Sequence, residues 1–393
     1  MIPAYRQSFN RNFTPEKYAA FLRRLDEVCG AHVGFRVCET PCFFSRDLIA
    51  KMTRAGDELI HQLVDNPAYR KVSDASVPAE FNVPNEDNRP LFIQVDFGLV
   101  REAGEIRPKL VELQAFPSLY AYQSTLARAY KDFYGLDAGL DPYLSGLDDD
   151  GFRRLLTRAI VGEHAAENVV LMEIDPAEQK TLPDFLLTEK LCGIATVNIR
   201  DAVKQGKKLH YRREGRLVPI ERIYNRAIVD ELVRKQVRLP FDYRDELDVE
   251  WAGHPNWYFR ISKFSIPHLK HETVPRTWFL DQLGEAPRDR ENYLLKPLYS
   301  FAGAGIVFAP TDEQLAAIPE GERHQYIVQE RVRFEPVIDT PHGMTQAEVR
   351  IMYIWLERLT PVAGLVRMGR GKMMGVDHNK NLEWVGGSAA LFG

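Results

Sequence analysis

Two short runs in this sequence carry acids and amides at alternate positions. Residues 91–98 place Phe92, Gln94 and Asp96 on one face of an extended strand, with Ile93, Val95 and Phe97 on the other. In residues 110–114, Leu110, Glu112 and Gln114 share a face opposite Val111 and Leu113. A polar turn, Arg101-Glu102-Ala103-Gly104-Glu105, separates the runs. A hairpin centred on Gly104 sets Asp96 opposite Glu112 and Gln94 opposite Gln114. Directly opposed carboxylates repel each other. A divalent cation relieves that repulsion, and magnesium takes one or two carboxylates and completes its shell with water and phosphate oxygens. Asp96 and Glu112 are therefore expected as metal ligands, with the Gln114 carbonyl as a third. The plainer alternative is a solvated acidic strand face, and a one-residue slip would undo the pairing.

A second set of candidates lies late in the chain. Residues 292–298 read as a short strand carrying Lys296. A loop containing Ser300, Gly303 and Gly305 follows, then the apolar run 306–308. A strand lysine beside a small flexible loop can clamp phosphate, through a point charge and through backbone N–H groups where no Cβ intrudes. A glycine-turned hairpin is the commoner reading of such a stretch. Lys263 sits in the run 259–264. Residues 326–332 read as a strand with an abrupt polar end at Gln329 and Glu330, suited to a purine and ribose. On the strand 348–355, Glu348 and Arg350 share one face, against Val349, Ile351, Tyr353 and Trp355 on the other. That pattern reads as one buried face and one charged face, and the plainer account of Glu348 and Arg350 is a surface ion pair of little energetic worth. Asp96-Phe97-Gly98 matches the metal-binding tripeptide of protein kinases, but no Gly-rich loop and strand lysine precede it. Neither a P-loop nor a dinucleotide-binding glycine fingerprint occurs.

The elements that must position these residues follow from periodicity. Thr14 is an expected N-cap of a helix starting at Pro15, a second helix spans 45–64, and a third spans 118–134. Residues 135–150 are rich in Gly and Asp and read as a linker. From 151 to 250 strands and helices alternate, which suggests a small α/β unit. Residues 251–393 are strand-rich. With 45% hydrophobic and 27% charged residues, the 393-residue chain has the composition of a folded protein. Its net charge of −4 argues against the broad basic surface of a nucleic-acid binder. The four cysteines are too few for a disulfide framework and are expected as buried thiols. No run reaches the length of a membrane span and no signal peptide is evident, so a cytoplasmic protein is expected.

In this order the segments resemble the ATP-grasp superfamily in its circularly permuted form, and glutathionylspermidine synthase-like ligases in particular. Residues 92–96 and 111–118 look like that family's metal strands. Residues 254–269 and 294–298 look like its lysine segments, and Tyr224-Asn225-Arg226 like its Tyr-x-Arg signature. The resemblance implies an α/β fold whose ATP-grasp core sandwiches the nucleotide between two sheets, with a smaller α/β lobe and a helical N-terminal region. It divides the chain into a helical region (1–90), a metal-site hairpin and helix (91–150), the small lobe (151–250) and a nucleotide-binding domain (251–393). The implied activity is ATP- and Mg²⁺-dependent joining of a carboxylate to an amine through an acyl phosphate, with an amino acid, peptide or polyamine as substrates and no nucleic acid or membrane partner. Asp96, Glu112 and Gln114 would hold magnesium. Lys263, Lys296, Ser300, Gly303, Gly305, Gln329 and Glu330 would hold the nucleotide, and Arg226 and Arg350 would contact the substrate carboxylate or oxyanion. A non-catalytic nucleotide-binding relative and a phosphotransferase stay open as alternatives. The sequence departs from the family at three places: Gln94 replaces an arginine, Gln114 replaces an asparagine, and the loop after Lys296 lacks Gly-Arg-Glu-Gly.

Overall fold

The early hairpin owes its register to two features. Ala103 and Gly104 both take left-handed backbone, with φ of 49° and 83°. That is the two-residue turn whose twist suits antiparallel strands, here Phe92–Glu102 and Glu105–Gln114. The turn sets Glu102 against Glu105 and Phe97 against Leu110. Val111 is then an extra, bulged residue, and beyond it Asp96 lies opposite Glu112 and Gln94 opposite Gln114. The facing pairs are those expected from the alternation, reached through a turn one half-step earlier and a bulge that restores the phase.

The computed structural model describes residues 1–285, 287–299 and 303–393. Phe92–Glu102 pairs antiparallel with Gly343–Trp355, so the first and last thirds of the chain build one sheet. Its strands run in the order Cys42–Phe44, Gly386–Phe392, Leu359–Gly369, Gly343–Trp355, Phe92–Glu102 and Glu105–Gln114, with Ile338–Thr340 also paired to Gly343–Trp355. Ile93, Val95, Phe97, Val349, Ile351 and Tyr353 form one apolar face, packed with Met52, Leu59 and Ile60 of the helix Arg46–Val64. Phe92, Met352 and Ile354 lie in a second core with Tyr120 and Leu126 of the helix Tyr120–Tyr134. Both faces are covered. The expectation of an exposed charged face at Glu348 and Arg350 is therefore corrected, since both residues are buried.

The N-terminal helices form as their caps predict. Thr14 accepts a hydrogen bond from the Lys17 N–H ahead of Pro15–Cys29, and Ser45 accepts from the Leu48 N–H ahead of Arg46–Val64. Phe21 and Leu25 share a core with Tyr130 and Leu391.

Two smaller sheets complete the site. One is parallel, in the order Glu250–Ala252, Arg222–Asn225, Val169–Glu173, Ala195–Asn198. Helices Asp149–Val161 and Leu182–Cys192 belong to the same α/β unit. The other is antiparallel, in the order Thr277–Phe279, Tyr326–Glu330, Tyr293–Pro297, Val307–Phe308. A three-stranded meander, Val203–Gln205, Lys208–Arg213 and Arg216–Ile220, interrupts the α/β alternation. Glu221 separates Arg216–Ile220 from Arg222–Asn225: its N–H turns to the Asn168 carbonyl while its own carbonyl accepts from the Glu250 N–H.

Candidate functional site

Asp96 is the centre of a buried ion cluster. Arg350, on the neighbouring strand and directly opposite in register, grips it with a fork: Nε to Oδ1 at 2.6 Å and Nη2 to Oδ2 at 2.7 Å. Arg367 donates to the same Oδ2 at 3.0 Å and also to Glu348, its register partner. The third guanidinium nitrogen of Arg350 donates to Gln94 Oε1 at 2.7 Å. The Gln94 amide N–H in turn donates to the Ser118 carbonyl at 2.7 Å. With its amide turned so that oxygen faces the guanidinium, Gln114 accepts from Arg350 as well. Burial pushes the Asp96 carboxyl upward, but Arg350 and Arg367 outweigh it and hold the group below the usual carboxylate range. Burial raises Glu348 and lowers Arg367, and in Arg367 the charges of Asp96 and Glu348 reverse the sign and raise it.

This network explains one departure noted in the sequence. Gln94 stands where the resemblance places an arginine, and the strand beside it supplies a guanidinium instead. A second arginine at 94 would set like charges together in a buried site, whereas glutamine offers Arg350 an oxygen.

The lysines come from the third sheet and its approach. Lys263 opens the short 3-10 helix Lys263–His268, and its Nζ lies 3.5 Å from Glu112 Oε1 and 3.4 Å from the Leu298 carbonyl. Lys296, on Tyr293–Pro297, donates to Gln329 Oε1 on the paired strand. Burial lowers the Lys296 ammonium to about 8, with Lys263 adding to the drop and Glu112 and Glu348 opposing it. One ammonium thus pairs with Glu112 of the seven-stranded sheet, and the other feels the charges of Glu112 and Glu348. Strand alternation separates Gln329 from Glu330. The first is buried against Lys296; the second turns outward to Arg276, 3.2 Å away. Gly303 and Gly305 both have φ above +70°, and a Cβ at 303 would collide with Met373. Gly303 therefore lies against the C-terminal segment after Leu359–Gly369. Ser300 lies outside the described residues.

Arg226 sits at the end of the parallel strand Arg222–Asn225, on the far side of the loop that follows Gln114. It donates to the Pro117 carbonyl, lies over the Phe116 and Phe185 rings at 5.3 and 5.4 Å, and leaves Nε without a partner. Beside it stands Glu173, at the end of the otherwise apolar strand Val169–Glu173. Burial lifts its carboxyl to about 8 despite the Arg226 charge. An acid inside the apolar run 169–174 was the available signal. Between its ordinary value of 4.5 and about 8, native Glu173 keeps a proton that the unfolded chain has released. Stability attributable to this group must then fall as pH rises through that window. Urea midpoints at pH 6 and pH 8.5 should differ less in Glu173→Gln than in the wild type; equal differences would place Glu173 in a wetter setting.

Magnesium can be tested against this geometry. Both Asp96 oxygens are engaged by guanidinium N–H groups, Gln114 faces Arg350, and Glu112 pairs with Lys263. Among the described residues no group of three His, Cys, Asp or Glu side chains could hold a metal ion. The expected set of Asp96, Glu112 and Gln114 comes together in register but does not fit a magnesium ion as arranged. Arg350 is likewise committed to Asp96 and Gln94. Arg367 and Glu348 join the cluster without having been assigned a role from sequence; an arginine inside the apolar run 362–368 marked the first of them.

The fold is a mixed α/β one with several sheets. Its overall course is similar to that of a glutathione synthetase-like effector from Globodera pallida, solved in apoform: 10% identity, TM-score 0.60, 99% of each chain covered. This full-length likeness is one of fold. No family model matches the chain, and no curated protein matches it. Among the described residues no helix is long and apolar enough to cross a membrane.

Proposed function

We propose that this chain binds ATP between the small antiparallel sheet and the seven-stranded sheet, and that it is a carboxylate–amine ligase of the glutathionylspermidine synthase-like kind. The observation that carries the reading is the pair of buried lysines, Lys263 against Glu112 and Lys296 within reach of the same charge, on an ATP-grasp-like fold. A buried ammonium with a lowered pKa is expensive to keep unless a strong anion completes it. Lys263 and Lys296 would neutralise phosphates, and backbone N–H groups at Gly303 and Gly305 would cover them and exclude water. Arg226, with an unpartnered Nε beside the loop 115–119, would bind the substrate carboxylate. The amine would then displace phosphate from the activated acid.

A specific observation favours a second reading. The fork of Arg350 on Asp96 closes off the carboxylate that a metal-assisted phosphoryl transfer would use. A nucleotide-binding relative without turnover accounts for that arrangement. ADP release should be measured from ATP with pools of amino acids, small peptides and polyamines, beside calorimetric titration of nucleotide. Release that requires both an acid and an amine is expected for the ligase. Binding without release across the panel selects the second reading, and no binding at millimolar ATP removes both.

A further inference from the structure

The nucleotide-binding half of that reading leads to a further step. Asp96 accepts three N–H bonds from two arginines, on both of its oxygens, while it is almost wholly buried. Two guanidiniums carry the same charge as one magnesium ion, and they sit on the carboxylate that would otherwise take it. Every element around Asp96 supports this occupancy. Gln94 accepts from Arg350 on one side, Gln114 faces it from the paired strand, and Glu348 holds Arg367 in place. A magnesium ion entering here would have to displace a bidentate guanidinium and leave it buried without its carboxylate, which is costly. The neighbourhood needs no further cation. Among the described residues, Lys263, Lys296, Arg350 and Arg367 already have Asp96, Glu112, Glu348 and, toward Lys263, Asp230 to answer them.

We infer that the protein takes its nucleoside triphosphate as the metal-free polyanion, with the arginine-clamped Asp96 standing where a protein-held divalent cation would be. Free ATP carries more negative charge than its magnesium complex, so Lys263 and Lys296 at its phosphates would attract it more strongly. Glu112, the more exposed of the facing acids, serves Lys263 and does not serve a metal.

The test is a pair of titrations on the full chain. Calorimetry with ATP in excess EDTA is expected to give an affinity equal to or tighter than that with ATP in excess magnesium. Loss of affinity by more than about tenfold in EDTA overturns the inference. In parallel, manganese is titrated into the nucleotide-free protein and followed by water proton relaxation. No site tighter than about 1 mM is expected. A stoichiometric manganese site that disappears in Glu112→Gln, a variant at a partly exposed position, also overturns it. Should neither form of ATP bind, the nucleotide reading fails and this inference with it, while the manganese titration still decides whether Asp96 and Glu112 hold a metal.

Discussion

Asp96→Ala is expected to destabilise the protein by about 3–5 kcal/mol, the usual consequence of removing one partner from a buried ion pair. The reason lies in what remains. Arg350 would keep its place among Gln94, Gln114 and the apolar residues of Gly343–Trp355, with two of its N–H groups unanswered. Removing both charges is a different experiment. Asp96→Leu with Arg350→Met replaces the pair by apolar side chains of similar bulk, and such replacements are often neutral. The double variant should therefore be more stable than Asp96→Ala alone, and a double-mutant cycle by urea denaturation measures the coupling. The pH dependence has a definite sign. Asp96 is held below the usual carboxylate range, so its contribution is complete above that range and is lost as pH falls through the folded-state value. Acid sensitivity should shrink in the double variant. A cost below about 1 kcal/mol for Asp96→Ala would mean that the side chain is solvated and the clamp is absent, since only exposed pairs are worth so little.

The pairing at this site was legible in the sequence, yet its burial was not. Period-two alternation put Gln94 and Asp96 on one face and Glu112 and Gln114 on the face opposite them, and the register agrees. The agreement depends on Val111. Without the bulge, a turn at Ala103-Gly104 would leave each facing pair one step out of phase, and nothing in the local residue types marks a bulge. Alternation also sorted Glu348 and Arg350 correctly from Val349 and Ile351. It could not show that the charged face is covered, because the cover comes from elements distant in the chain, the helix Tyr120–Tyr134 and the loop after Gln114. The charge on Lys208, Arg212, Arg213 and Arg216 concealed the meander, where only Leu209 and Tyr211 of the strand Lys208–Arg213 are buried. The helices Pro15–Cys29 and Arg46–Val64 were legible because their caps are local signals.

Lys296 carries the other large expectation, and it runs in opposite directions for stability and for binding. Burial lowers its pKa from 10.5 to about 8, a penalty of roughly 3 kcal/mol on the charged form. Lys296→Met removes that penalty. It also leaves the buried Gln329 oxygen without its donor, an omission worth about 1–3 kcal/mol. The nucleotide-free variant should thus be as stable as the wild type or more so, and adding Gln329→Leu should reveal the remaining gain. The sign with pH follows from the same shift. Between about 8 and 10.5 the unfolded chain binds a proton that native Lys296 has lost, so wild-type stability climbs with pH in that window and the variant's does not. Nucleotide affinity should fall about 100-fold in Lys296→Met, the order expected for a lost hydrogen bond to a charged group. In the wild type, a bound phosphate would draw a proton onto Lys296, so titrations near pH 8 in buffers of different ionisation enthalpy should register proton uptake. Stability retained together with affinity lost is the signature of a charge kept for a ligand. If affinity survives the substitution, the phosphates do not lie at Lys296, and the lowered pKa reflects only its burial and the neighbouring Lys263.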